Sequence, residues 1–547
     1  MNTLNAILYP STKDIHVNKF KQYALAHDID ITKFPSTDSC DQFEMMIVGT
    51  IMKTNLSSLC SSSTSNHDIY NAIIADLLHL NISNYIRDNV YFGWADFLWI
   101  SLGYGYSNAS DICYLNGDSR ELFTDAMLLG LDIKQPLENL SRLNLRSVKD
   151  TVRKLINTTI SSVNEIPNFN MYQTYQILLG KKSGVDVSIY SNNEYDWRKM
   201  ALIRLTLERG LDASVLIRDG ISSPTLGDIF VANACGLDCS NLDFKDYSRS
   251  QVQQILEGML LGVDVSIYSN PEYDYDQMEQ IMLGLFFNLD VSAYLNPKYE
   301  NDEMKQIRYG IMSGYDMSKY VTTDLNSHQI EQIYLGLVAG VDVSIYADSK
   351  YKWYQMMYIR AGLELNLDVS LYSNTRFDDH QMEQILTGLY KKLPAELYAN
   401  PKLSDATMRN IAECMEKGLP IIQYLNNKFT GGQLEEIALG LLDNLDVSIY
   451  ADTKFNTYQM REVRQALLDG YDATPLLEPT LDADTMKEMR LNMGNVDKDS
   501  IYLNYDYTFE QALEIQLGIQ QGVAVSSYAD PKNSASEMKQ LRENLLQ

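Results

Sequence analysis

The residues best able to do chemistry in this 547-residue chain are few and poorly spaced for it. Cys235 and Cys239 form a CxxxC pair around Asp238. Structural zinc takes four ligands, usually as two such pairs, and no second pair follows. The six histidines (His16, His27, His67, His79, His328, His380) make no HExxH or other paired pattern. No GxxxxGK[ST], GxGxxG or GxSxG is present, so phosphate loops, dinucleotide folds and nucleophile elbows have no footprint. Three columns at intervals of 26 residues are more suggestive. Asp186, Asp212, Asp238, Asp264, Asp290, Asp316, Asp342, Asp368, Asp446 and Asp472 resemble a carboxylate array. Gln173, Gln251, Gln277, Gln329, Gln355, Gln381, Gln433, Gln459 and Gln511 could read bases one repeat at a time, as helical-repeat RNA binders do. Arg204, Arg308, Arg360, Arg464 and Arg490 form the third column.

All three columns belong to one phrase, clearest at Gln277–Pro297, QMEQIMLGLFFNLDVSAYLNP. Counting Met278 as position 0, fourteen starts from Thr174 to Ala512 keep a 26-residue period. Apolar residues at positions 0, 3 and 7 mark one face of an α-helix. Position 6 is small, usually glycine, which costs about 1 kcal/mol inside a helix and so predicts another backbone close by. Gly or Asn at position 10 stops the helix in the left-handed conformation. Asp at position 12 then caps a second, short helix of about six residues that buries Val at 13 and Tyr at 16. Asn-Pro or Asp-Pro breaks the chain before the next unit. Capping accounts for each aspartate singly. A hydrogen-bond ladder between helix starts accounts for the glutamines, and no Lys/Arg column is present to track phosphates.

Such units bury their apolar faces only by stacking, so the fold class is all-α, an α-solenoid of about twenty two-helix repeats. Residues 1–168 carry the phrase in worn form, as in Asp30-Ile31-Thr32 and Asn81-Ile82-Ser83, and read as degenerate repeats or a helical cap. Residues 169–535 are the regular array, and 536–547 a capping helix.

The motif MxxIxxGLxxGLDVSxYANPxYDxxQM resembles short-helix repeats of Firmicutes proteins, particularly those of gut species and their mobile elements. The likeness covers residues 170–547 closely and the first third loosely. It implies a bacterial or phage-like setting and transfers no activity, cofactor or site residue.

A formal charge of −27 disfavours nucleic acid and anionic membrane and favours a partner that is basic. The absence of an apolar run of 18 residues or a signal-like N-terminus, together with scattered cysteines, predicts a cytoplasmic protein with reduced thiols. The expected function is a non-enzymatic protein-interaction scaffold, monomeric and without cofactor or metal. The alternative is an acidic decoy inhibitor occupying the basic groove of a nucleic-acid-binding protein, such as a phage or mobile-element anti-defence factor. Positions 8 and 9, ordinarily polar, are apolar in Leu260, Leu261, Phe286, Phe287 and Met312, with Tyr309 and Tyr334 near them. This stripe is the expected partner-binding patch.

Overall fold

A computed structural model describes residues 2–34, 39–54, 66–79, 97–98, 117–138, 145–425, 428–493 and 507–546. Among these residues the chain is all-helical, with 22 α-helices, short 3₁₀ segments and no strand. None of these helices is long and apolar enough to cross a membrane. The chain divides into two compact units, Met1–Tyr9 with Gly336–Gln547, and Pro10–Leu335. The sequence boundaries at 168 and 535 fall elsewhere, because they mark local regularity of the repeat, whereas a compact unit is defined by contacts.

The unit Pro10–Leu335 contains α2 (Thr12–Ala26), α3 (Cys40–Ile51), α4 (Asn66–Leu77), α5 (Gly117–Leu128), α6 (Lys134–Glu138) and α7 (Leu145–Ser161). It continues with α8 (Met171–Ser183), α9 (Trp197–Glu208), α10 (Ser223–Ala234), α11 (Arg249–Leu261), α12 (Tyr275–Phe286) and α13 (Asn301–Met312). Helix α14 (Ser327–Ala339) runs through the division. The other unit contains α1 (Asn2–Leu8), α15 (Trp353–Glu364), α16 (Asp379–Tyr390), α17 (Asp405–Glu416), α18 (Gly431–Leu442), α19 (Thr457–Leu468), α20 (Ala483–Met493), α21 (Phe509–Gln520) and α22 (Ala535–Leu545). Helices α8 to α13 pack consecutively side by side, as do α15 to α20 and the pair α21–α22.

The repeat built on α12 shows how sequence becomes structure. The Asp274 side chain accepts from the Gln277 backbone N–H at 2.7 Å, and Gln277 Oε1 accepts from the Asp274 N–H at 2.8 Å. This capping box satisfies two of the four donors that a helix start leaves open. Gln277 Nε2 then donates to the carbonyls of Pro297 and Tyr299 in the following repeat, at 3.2 and 2.5 Å. The glutamine column is therefore both cap and inter-repeat clamp; Gln277 is 5% exposed, and its amide is spent on the chain itself. At the far end Asn288 takes φ 56° to stop the helix. Asp290 accepts from Ser292 N–H at 3.0 Å and opens the second element.

That element is shorter than expected. It is a three-residue 3₁₀ turn, Val291–Ala293, because Tyr294 leaves helical space at φ −131° and turns its ring back toward α12. The glycine column has a different cause from the one expected. No neighbouring backbone presses on position 6. Instead, a Cβ on Gly284 would stand 1.9 Å from the Tyr294 hydroxyl and 2.8 Å from Val291 Cγ1. In units such as those of Tyr190, Tyr294 and Tyr372 the tyrosine lies across its own helix, buried, with its hydroxyl donating to the carbonyl at position 2; at Gly310 Met317 fills that space instead. Tyr268 reaches Gln254 at 3.2 Å and Tyr450 reaches Glu436 at 3.0 Å. Where position 6 is alanine, as in Ala232 and Ala466, position 16 is leucine, Leu242 and Leu476.

Candidate interaction surface

The chemistry-bearing residues are absorbed by the scaffold. Exposed caps such as Asp186 and Asp368 are held below the usual carboxylate range by the hydroxyl and N–H of the serine two residues on. Cys239 is 1% exposed, and burial pushes the thiols of Cys235 and Cys239 up to about 12, which leaves them protonated. Among the described residues no group of three or more His, Cys, Asp or Glu side chains is placed to hold a metal ion. The most aromatic stretch of the sequence holds Tyr91, Phe92, Trp94, Phe97 and Trp99; of residues 91–99 only Phe97 and Leu98 lie within the described residues, and both are buried.

The arginine column links repeats and then reaches outward. Four of these arginines use Nε on the position-2 side chain of the repeat before: Arg204 on Gln176 at 2.9 Å, Arg308 on Gln280 at 3.1 Å, Arg464 on Glu436 at 2.8 Å and Arg490 on Glu462 at 2.7 Å. Arg542 continues the column on Glu514 at 2.8 Å, a member the sequence reading missed. What the rest of each guanidinium meets depends on location. Arg204 reaches the Leu128 carbonyl at the end of α5, and Arg360 reaches the Ile7 and Leu8 carbonyls at the end of α1. A cation at the C-terminal end of a helix satisfies carbonyls that lack an intrahelical partner.

Arg308 meets the densest version of this arrangement. Its guanidinium is fully buried and forms a two-pronged pair with the Glu44 carboxylate of α3. One helical turn away, Lys305 pairs with Asp41 at 2.7 Å, and the Tyr309 hydroxyl donates to Asp41 at 3.0 Å. Burial pulls the arginine pKa down, but Glu44 at contact more than offsets it, so the net shift is upward and Arg308 is charged.

The apolar stripe converges on the same place. Leu260, Leu261, Phe287, Tyr309 and Tyr334 are buried, and Phe286 and Met312 are half-buried. The expected open patch is covered by the chain's own α2 and α3. Phe20 of α2 lies edge-on to Tyr309 at 5.7 Å between centroids and 6.1 Å from Phe287. Tyr23 meets Phe287 edge-on at 5.1 Å, and His16 packs with tilted rings 4.3 Å from Tyr309 and 5.2 Å from Tyr334. Farther along the unit, α4 rests on α11 and α5 on α9, so the early helices run along the repeats in reverse order. The covering residues Phe20, Asp41 and Glu44 were not singled out from sequence. The available signal was Asp41 and Glu44 three residues apart on a helix, matching Lys305 and Arg308 three residues apart on another.

Burial makes this cover pH-sensitive. His16 is 6% exposed, and its pKa is pushed down to about 4 by burial, then by Lys305 and Arg308, with Asp41 opposing. The unfolded chain therefore binds a proton between pH 6.5 and about 4 that the folded chain refuses. The stability His16 contributes is complete above pH 6.5 and falls by roughly 3 kcal/mol as pH drops through that window. Glu279 works the other way. Its carboxyl is pushed up to about 7 by burial and then by Glu44, so its contribution is complete below the usual carboxylate range and lost as pH rises through about 7. The His16 effect is thus read as a difference. Amide protection factors of residues 12–26, which correct for the intrinsic slowing of exchange in acid, should fall from pH 6.5 to 4 more in the native chain than in His16→Phe; equal profiles would remove His16 from the effect.

No family model, curated protein or solved structure matches this chain.

Proposed function

We propose that the chain is a non-enzymatic protein-interaction scaffold, a cytoplasmic monomer that holds a protein partner on the faces of its stacked helices. The observation carrying this reading is that the outward face of the long helices already accepts helices. Phe287, Tyr309 and Arg308 seat α2 and α3 through apolar rings and a buried ion pair, which are the ingredients of a protein–protein interface core. Repeats differing at exposed positions would then select the partner. The formal charge of −27 favours a partner that is basic overall and also supports the second reading, an acidic decoy in the groove of a nucleic-acid-binding protein.

Salt separates the two. A tagged full-length chain is incubated with lysate of its source cell at low and high ionic strength, and bound protein and nucleic acid are identified. One defined protein partner retained at high salt is the expected result. A nucleic-acid-binding protein that elutes with salt would favour the decoy. Nucleic acid recovered without protein would overturn both readings.

A further inference from the structure

The pairing that docks α3 recurs where no covering helix is described. Positions 1 and 4 are both basic in only four long helices: Lys305/Arg308, Arg461/Arg464, Lys487/Arg490 and Lys539/Arg542. In the first, the pair receives Asp41 and Glu44 from one face of α3. In the neighbouring helices α19 and α20, Lys487 and Arg461 are instead exposed, and Arg461 turns its Nε back onto Glu436 at 2.7 Å. Arg464 and Arg490 fold back on Asp443 at 3.2 Å and Asp469 at 3.4 Å, long contacts to carboxylates about one third exposed. Both arginines are largely buried and keep Nε on Glu436 and Glu462, so only the part-exposed Asp443 and Asp469 are open to replacement by a better-placed carboxylate.

The apolar side of the docking site recurs as well. Position 5 is Tyr309 under α2 and α3, 3% exposed, and Leu491 on α20, 60% exposed. Position 8 is the half-buried Phe286 or Met312 in the covered repeats and Leu468 on α19, 47% exposed. Tyr458, 65% exposed, continues the same side of α19. Four cations and three exposed apolar side chains thus share two adjacent helices, with Glu436, Glu462, Asp443 and Asp469 pairing with three of the four cations.

Resting on the scaffold reading, we infer that the face of α19 and α20 is a docking groove for a partner helix that carries two carboxylates three residues apart beside an apolar stripe. The carboxylates take Arg464 and Arg490 from Asp443 and Asp469 and reach Arg461 and Lys487. The stripe covers Tyr458, Leu468 and Leu491, as α2 and α3 cover Tyr309.

The probe is a fluorescein-labelled, alanine-based helical peptide with an Asp/Glu pair three residues apart beside a leucine stripe; its control carries Lys at both acidic positions. Both are titrated against the full-length chain by fluorescence anisotropy. The acidic peptide is expected to bind about tenfold or more tightly than the control, and Arg461→Glu with Lys487→Glu to abolish the difference. Both side chains are exposed, and an unchanged circular dichroism melt verifies the fold. Leu491→Ser is expected to weaken the acidic peptide without touching charge. Equal binding of the two peptides, or indifference to the charge reversal, overturns the inference. So does a native chain that sediments as a dimer and is split by the reversal, since a second copy would then own the face. The same reversed chain is used in the lysate experiment. A partner retained by it sinks this site and leaves the scaffold reading standing, whereas failure of both native and reversed chains to hold any partner counts against the scaffold reading itself.

Discussion

Glu44→Ala is expected to destabilise the unit Pro10–Leu335 by about 3–5 kcal/mol, a large share of what holds a domain folded. The substitution removes both oxygens that Arg308 meets on α3 and leaves a guanidinium with no exposed surface facing only the Gln280 amide and the Tyr309 ring, neither of which carries a negative charge. Desolvation already opposes the charge at that site, and without the carboxylate nothing repays it. The cost reflects breaking a pair, so the double variant Glu44→Leu with Arg308→Met should recover most of the loss: an ion pair this deep is commonly replaceable by apolar volume. The measurement is amide exchange of α3 and α13 combined with urea unfolding of both variants. A loss below about 1 kcal/mol for Glu44→Ala would show that α3 is held by its apolar side and that the pair is incidental.

Gly284→Ala should cost about as much, by a different route. One methyl group is added, and the nearest atom is a phenolic oxygen 1.9 Å away on a ring with no exposed surface. A helix-favouring substitution ordinarily gains about 1 kcal/mol. Here the Tyr294 ring must leave its slot, and the stability lost is that of emptying an aromatic site, about 3–5 kcal/mol. The second substitution that rescues it is written in the chain: Ala466 coexists with Leu476, which is shorter and fully buried. Tyr294→Leu in the Gly284→Ala background is therefore expected to be more stable than Gly284→Ala alone. A double-mutant cycle should yield a coupling of about 2 kcal/mol or more. Additive costs would show that position 6 is glycine for some reason other than the tyrosine.

These two substitutions mark where sequence reasoning succeeds and where it stops. Gly284, Tyr294, Asp290 and Gln277 were all visible as columns, and the cap, the helix stop and the turn followed from local rules. Two details needed coordinates. The second element is a three-residue turn, and the space at Gly284 belongs to the ring of Tyr294 ten residues on rather than to another backbone. Both depend on where a side chain points after the chain has turned, which residue type alone leaves open. The stripe through Phe286, Phe287, Tyr309 and Tyr334 was legible as apolar where polar residues were expected, but its cover was not.

By itself, the sequence determined the all-helical repeat, where its long helices stop, the capping role of its aspartates and the inter-repeat bonding of its glutamines. Each of these is settled by interactions within 26 residues or between adjacent copies, so the period carries the information. Only the tertiary structure decided that α2 and α3 occupy the face of α12 and α13, that Arg308 is neutralised by Glu44, and that the equivalent face of α19 and α20 has no such cover among the described residues. Partners 264 residues apart leave no periodic trace. A carboxylate pair and a cation pair each look like an ordinary solvated helix face until folding brings them together.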